Sequence, residues 1–557
     1  MANENTSPQI KIEFKQVLPY LVFGFLVFIL LISSGLTSRP PEVETISPEI
    51  AETGAELIIK GKFFGDQREG GRIVVSNVSP PSSSYLEWSD RKISLIVPEE
   101  MSGGLLKVVT KHGESRKVIV FTNKRHLPVV AAGPLKPGEP YISGIQPENG
   151  PVGTLVTIRG LNFGLKRGDS RVSFTWTSGS KNTIEVTREP NVVLIQDIDH
   201  NYVSWDDREI KIRVPDGSSS GSLKVITDKG GSNAVYFEVQ DTVGTKAFNT
   251  KRVYHVQYSV EITNVAAEPG NGLYLWVPLI MEIPQQRDIE QVIEEREAMF
   301  DNFEGYRLFF LKDLEAGGTY RLNMSFIFSR YTVETNINAA RVKDNYDKEN
   351  KLYNKYTLPN SLVSSSDKNI VSLSQRVTGL ERNPYRKAGL IYTYITKRLN
   401  PVSQTGNRDL MKAVNSQEGD PYIYALLFCA LGRSADIPSR PIGGYIVDDN
   451  GNAHRHYWAE FYIESFGWVP VDPFLGDGFK YGGFPVETDV RSYYFGNLDN
   501  RHITLSKDLV ILRQMNPKGR LVTRTVSPSF QTIHEEYTGN LSSYSSQWSD
   551  LKILGIY

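Results

Sequence analysis

A single cysteine, Cys429, stands in 557 residues. One thiol excludes an internal disulfide framework and any zinc site built on cysteines, and it leaves the redox compartment open. The chain also lacks an excess of either charge. Its 62 Lys and Arg face 63 Asp and Glu, and the signs are interspersed. Without a basic patch, nucleic acid is not an expected partner. The third lack is local: from Gln16 to Ser38 no side chain is charged, and the middle reads VLPYLVFGFLVFILLI. A helix crossing a bilayer needs about 20 mostly apolar residues, whereas the apolar core of a cleaved signal peptide runs to roughly 7–15. Lys11 and Lys15 precede the run and only Arg39 closely follows it. The expectation is a cytoplasmic stretch over 1–16 and a single-pass helix over 17–38 in the cytoplasmic (inner) membrane. The bulk of the chain is then exported, periplasmic or extracytoplasmic. Cleavage near Ser33, Ser34 and Gly35 is the alternative. No Cys follows the run, so a lipoprotein anchor is excluded.

What is abundant points to β-structure: 28 Tyr and 25 Phe suit pleated, half-buried strands. PEVETISPEIAETGAELIIKGKFFG, from Pro41, aligns with PYISGIQPENGPVGTLVTIRGLNFG, from Pro140. Pro48, Gly54, Gly61 and Phe64 match Pro147, Gly153, Gly160 and Phe163 at one offset. WSDRKISLIVP, from Trp88, then matches WDDREIKIRVP, from Trp205. The offset grows in the second copy, so an insertion lies around Arg167 to Asp199. Short strands punctuated by Gly and Pro predict two immunoglobulin-like sandwiches, over 41–122 and 140–240, with a Pro/Gly-rich linker over 123–139. The repeated framework resembles the IPT/TIG domain. Such modules serve as spacers or adhesive surfaces, and a rigid stalk is the expected role.

From about Val253 further strands, such as YHVQYSVEITN and GLYLWVPLIMEIP, predict a β-rich region over 241–368. Helical periodicity begins near Ile370, and Ala388, Ile391, Ile395 and Leu399 share one face. In EGDPYIYALLFCALGRSADIPSRPIGGY, Asp420 is a good N-cap and Pro421 is ideal at the first helical position. The following YIYALLFCAL is apolar all round, which predicts a fully buried helix.

That helix, with HYWAEFYI from His456 and GWVPVDP from Gly467, resembles the core of the transglutaminase-like superfamily. The resemblance covers roughly Val253 to the C-terminus. It implies an α+β, papain-like core over 369–480 with an extension over 481–557, and a Cys-His-Asp arrangement. The matches include Gly419, Asp420, Tyr424, Arg433, Pro438, Arg440, His456, Trp458, Glu460, Trp468 and Asp472. Two positions depart: Asp436 stands where a Gly is usual, and Pro421 stands where the resemblance puts the nucleophilic Cys.

A thiolate at a helix start gains acidity from the helix dipole and a nearby imidazolium. A His serves as its base and an Asp orients that His. Pro421 offers no nucleophile. Cys429 lies eight residues further on, roughly 12 Å along the axis, at a core position, where a Cys behaves as a small hydrophobe. No intact catalytic set is therefore expected. His456 and Asp472 are a remnant pair, and Asp420, Tyr422, Tyr457 and Trp458 are cleft candidates. The H-x-H of His454 and His456 lacks further ligands for zinc, so neither metal nor cofactor is expected. The leading expectation is a membrane-anchored pseudoenzyme that binds a peptide or protein, or scaffolds an envelope assembly. One alternative is an active hydrolase or peptidase using a noncanonical nucleophile or a water. The other is a purely structural or adhesive envelope protein.

Overall fold

The structure is a computed structural model. It describes residues 39–557 apart from 52, 76–78, 99–100, 102–103, 116–118, 124–136, 180–191, 295, 482–488 and 525, and of the preceding residues only Phe23 and Phe25. The expected membrane helix over 17–38 and most of the 123–139 linker therefore lie outside the described residues. Among the described residues no helix is long and apolar enough to cross a membrane. The chain forms two compact units, 1–134 and 135–557.

The first unit holds one sandwich. A sheet of Glu42–Ser47, Glu56–Lys62, Lys92–Ile96 and Tyr85–Trp88 faces a sheet of Ile50–Ala51, Ile119–Asn123, Gly104–Thr110 and Arg72–Val75. In the second unit the same two strand orders recur, in Tyr141–Gln146, Leu155–Leu161, Glu209–Arg213 and Tyr202–Trp205, and in Asn149–Gly150, Val235–Val239, Gly221–Thr227 and Arg171–Thr175. The repeated residues have a packing reason. A Cβ on Gly61 would sit 2.0 Å from the Glu42 carbonyl oxygen and 2.5 Å from the Phe64 ring, and one on Gly160 would sit 1.9 Å from the Tyr141 oxygen and 2.5 Å from Phe163. The indole N–H of Trp88 donates to Phe64 O at 3.1 Å, and that of Trp205 to Phe163 O at 3.1 Å. Each Trp thus closes the loop that its Gly and Phe open.

In the second unit the chain passes from the sandwich directly into a large antiparallel sheet. Strand Gly244–Pro278 pairs on one side with Tyr320–Ile337 and Tyr306–Lys312. On the other it pairs with Glu535–Trp548 and Lys552–Ile556. The β-rich stretch after residue 240 and the C-terminal strands are thereby one sheet. Among the described residues seven helices follow in chain order: α1 (Lys351–Thr357), α2 (Lys368–Thr378), α3 (Pro384–Arg398), α4 (Leu410–Ser416), α5 (Pro421–Ser434), α6 (Pro473–Gly476) and α7 (Val490–Tyr493). Among them runs an antiparallel sheet of β1 (Ser439–Val447), β2 (Ala453–Ile463), β3 (Gly467–Val471) and β4 (His502–Lys507), in the order β3-β2-β1-β4. Helix α5 packs on β2, and twelve of its fourteen residues are buried, as its unbroken apolar sequence requires. Its end explains one departure: Asp436 takes φ 62°, a left-handed turn that Gly favours and Asp tolerates.

Candidate functional site

Helix α5 begins as its sequence dictates. Asp420 caps it, its Oδ1 accepting from Ile423 N at 3.1 Å, and Pro421 is the first helical residue. The cap is itself tied down, because Asp420 Oδ2 accepts from Arg408 Nη1 at 3.0 Å and from Thr405 N at 3.1 Å. Cys429 is fully buried, and burial pushes its thiol pKa up. A thiol so placed stays protonated.

The helix start and the histidine share one neighbourhood. Tyr422, one residue after Pro421, meets Tyr457, one residue after His456, edge to face at 5.4 Å. Phe474, on α6, lies 5.3 Å from Tyr424 and 5.9 Å from His456. Tyr422, Tyr457 and Phe530 form an apolar wall. Beside it a cavity of about 560 Å³ opens, bordered by Leu362, Ile370, Arg408, Met411, Tyr422 and Leu426. The Arg408 guanidinium lies over the Tyr422 ring at 4.4 Å. Of the cleft candidates, Tyr422 borders that cavity and Tyr457 stands on its wall. Asp420 is spent on capping. Trp458 does not border the cavity: its ring lies 6.0 Å from that of His456 and 5.0 Å from that of His502, and it joins the core shared with the second sandwich.

His456 and Asp472 come together: His456 Nε2 stands 2.6 Å from Asp472 Oδ2, both fully buried. Asp472 Oδ1 caps α6, accepting from Phe474 N and Leu475 N at 3.0 Å each. Three further residues complete the site. His502 Nε2 reaches the same Asp472 oxygen at 3.1 Å, and its Nδ1 reaches Asp499 Oδ1 at 2.8 Å. The Tyr481 hydroxyl stands 3.0 Å from His456 Nδ1. Burial raises the Tyr481 pKa, followed by the charges of Asp472 and Asp420, so the phenol is the hydrogen donor in that contact. None of the three stands in a local pattern.

The electrostatics fix the protons. Burial opposes ionisation of Asp472, but His456 and His502 outweigh it and hold the carboxyl down to about 2. For His502, burial also opposes charge, yet Asp499 and Asp472 together raise its pKa. An imidazole bonded to a carboxylate at each end is best as the imidazolium. His456 differs. Burial lowers its pKa and Asp472 offsets this only in part. It is neutral, with the proton on Nε2 and a lone pair on Nδ1 facing the phenol. The array is a hydrogen-bonded chain from Tyr481 through His456, Asp472 and His502 to Asp499. The ligating atoms of His456, Asp472 and His502 lie within 4.8 Å of one another, close enough to hold a cation. Each is already engaged in the chain. His454, the other half of the H-x-H, bonds Asp448 instead, at 2.9 Å.

Behind this site lies a second buried array. Arg440 bonds Glu460 at 2.9 Å and Asp199 of the second sandwich at 2.6 Å, and Lys507 reaches Glu460 at 3.1 Å. Arg440 also stacks on Trp468 at 3.6 Å.

Comparison with known proteins agrees with this architecture. The family model of the transglutaminase-like superfamily matches residues 371–473, and that of the IPT/TIG domain matches 140–239. An uncharacterized protein of Haemophilus influenzae is 32% identical over 17% of this chain and 33% of its own length. A cyclomaltodextrin glucanotransferase of Paenibacillus macerans is 24% identical over 24% of this chain and 15% of its own. The chain thus spans a third or less of these curated relatives. Among solved structures, a candidate cysteine protease from Cytophaga hutchinsonii is 13% identical with a TM-score of 0.36, over 56% of this chain and 93% of that one. The periplasmic domain of TgpA from Pseudomonas aeruginosa is 12% identical with a TM-score of 0.23, over 42% and 90%.

Proposed function

We propose that the transglutaminase-like domain binds a polypeptide segment in its cleft without transforming it. One observation carries this reading: residue 421 is a proline at the first turn of α5, where the superfamily chemistry calls for a thiolate. Proline has neither a nucleophilic atom nor a backbone N–H, and it is the residue a helix start accepts most readily. The helix keeps its geometry and the acyl-enzyme step has no attacker. The cleft keeps features that suit recognition. Tyr422 offers a large, semi-rigid face with a polar end, backed by the buried Tyr457, and Arg408 borders a cavity big enough for side chains of a bound segment.

In this reading the apolar run 17–38 anchors the chain in the cytoplasmic membrane. The IPT/TIG modules are exported with the cleft, and the partner is a peptide or protein of the envelope. The test is to incubate the full chain with peptide and isopeptide substrates while measuring binding in parallel. Saturable binding, weakened by Tyr422→Ala and without product, is the expected result. Turnover that disappears in His456→Ala would overturn the reading.

A second reading keeps a specific observation in its favour. The His456–Asp472 pair retains the contact that a base and its orienter need, 2.6 Å. A hydrolase that activates water through His456 would use it. The same turnover assay separates the two.

A further inference from the structure

We propose that the Tyr481 phenol is an internal ligand of the His456–Asp472 pair, and that the pocket it fills recognises a tyrosine side chain of a bound polypeptide. This deepens the peptide-binding reading above and rests on it.

The geometry specifies the ligand. In a nucleophile–His–Asp arrangement, one ring nitrogen faces the carboxylate and the other faces the nucleophile. Here Nε2 faces Asp472 and Nδ1 faces the Tyr481 hydroxyl. The proton on Nε2 is fixed by the Asp472 carboxylate, so Nδ1 presents a lone pair and accepts only a hydrogen donor. A carboxylate at that point would meet lone-pair repulsion. An aliphatic group would leave a buried acceptor unpaired, which the folded state does not tolerate cheaply.

The surroundings add shape. The Tyr481 ring stacks on His454 at 4.7 Å and meets Phe479 edge-on at 5.1 Å, while Phe474 lies 5.9 Å from His456. These rings form a slot for a flat group carrying a donor at its far end. Phenol fits that description: an aromatic body with a polar tip. Indole carries its N–H on the side of the ring, and an aliphatic alcohol lacks the flat body.

Position supplies the rest. His456 is fully buried whereas Tyr481 is half-buried, so the phenol stands between the imidazole and the outside. Tyr481 also feels the charge of Asp420, which places it toward the start of α5, where Pro421 leaves no donor for His456. A second phenol enters only when the first rotates out, so Tyr481 competes with the ligand it resembles.

The test uses calorimetry on the full chain with two pairs of probes. Tyr481→Gly empties the slot. It should bind p-cresol at least about tenfold more tightly than toluene, the difference one neutral hydrogen bond in a dry site can make. Adding His456→Ala should erase that preference. Equal affinity for p-cresol and toluene in Tyr481→Gly overturns the proposal. Tyr481→Phe keeps the ring and the packing, and guards against a glycine variant that does not fold. It should bind N-acetyl-tyrosinamide more tightly than the unaltered chain, because its internal competitor has lost the hydroxyl, and it should prefer that probe to N-acetyl-phenylalaninamide. Unchanged affinity, or no preference, overturns the proposal. Peptides that bind with no preference for tyrosine would end the tyrosine assignment and leave peptide binding standing. Selective binding of phenols without any binding of peptides would do the reverse.

Discussion

The two copies of the β-sandwich share a strand order, a Gly–Phe–Trp framework and a second pattern. Tyr85 OH accepts from Ile73 N at 2.8 Å under Arg68, and Tyr202 OH accepts from Val172 N at 3.0 Å under Arg167. Their interiors differ. The first packs a core made of its own residues, from Val43 to Phe121. The second shares its core with Phe248, Tyr331, Ile442, Trp458 and Leu498. Its insertion ends in the turn Asp197–Asp199, which sends Asp199 to Arg440 and to Trp468 Nε1, at 2.6 and 3.1 Å, and Ile198 O to Tyr356 OH, at 2.8 Å. One module is self-contained, and the other is part of the domain after it. A repeat in sequence fixes a local fold, while the surface and the insertion decide whether that fold is free or shared.

Deletion should break the comparison most visibly. Removing 140–239 strips the cover from Ile442 and Trp458, and the remaining chain should fail to give a cooperative transition in calorimetry. Removing 41–122 should leave the melting of 135–557 unchanged. Next comes Arg440→Ala. It takes the shared cation from the buried Glu460 and the partly exposed Asp199, and should cost about 3–5 kcal/mol in the second unit alone, read as a shift of one of two denaturation transitions. Gly61→Ala and Gly160→Ala meet the same backbone clash and should each cost about 3 kcal/mol. The first should disturb only unit 1, whereas the second should also weaken ligand binding in the cleft.

Acid should separate the units more gently. The buried polar residues of unit 1 are serines and an asparagine among the described residues, and its depressed carboxyl, Glu69, is fully exposed. Unit 2 buries Asp472 and Glu460, both held down to about 2. A carboxyl depressed on folding stabilises above its unfolded pKa, and that stability is lost as pH falls through the folded value. Asp472 alone accounts for about 2 kcal/mol, lost between about pH 4 and 2. His456, depressed as well, adds to the loss as pH drops below about 6.5. Asp477, which burial raises to about 6, acts in the opposite sense above about pH 4, so unit 2 should melt earlier at pH 2 than at pH 4, with unit 1 little changed.

The smallest effect on stability is expected from Pro421→Cys, since a helix start accepts either residue. Neither transition should move much, but the new thiol should react with iodoacetamide faster than Cys429. Cys429 is fully buried and burial keeps it protonated. A residue 421 thiol as inert as Cys429 would mean that the helix start no longer acidifies what it carries.

Much of this was legible in the sequence because the signals are local. Asp420 and Pro421 mark a helix start wherever they occur together before an apolar run. Gly61 and Gly160 are required by an approach of strands only a few residues apart in the fold. His456 and Asp472 were legible through the pattern around them. Tyr481, His502 and Asp499 were not: Tyr481 and Asp499 stand outside helices and strands, and His502, the first residue of β4, meets Asp472 only across the fold. The role of the insertion was equally hidden: its presence follows from the shifted offset, but the pairing of Asp199 with Arg440 spans 241 residues. The partners of Gly244–Pro278 were hidden for the same reason.

The sheet around Gly244–Pro278 bears on how the molecule is made. Ser259 N is bonded to Ser549 Oγ, 290 residues later, and Val253 exchanges backbone hydrogen bonds with Tyr557. One flank of that strand therefore stays unpaired until the last strands have left the ribosome. Closing so long a loop is slow relative to local folding, and an unpaired strand flank invites the wrong neighbour in the meantime. The first module, complete within its own short stretch, needs no such wait. Nascent chains stopped before residue 535 should display a protease-resistant first module and a protease-sensitive remainder, and the remainder should become resistant only when the final strands are released.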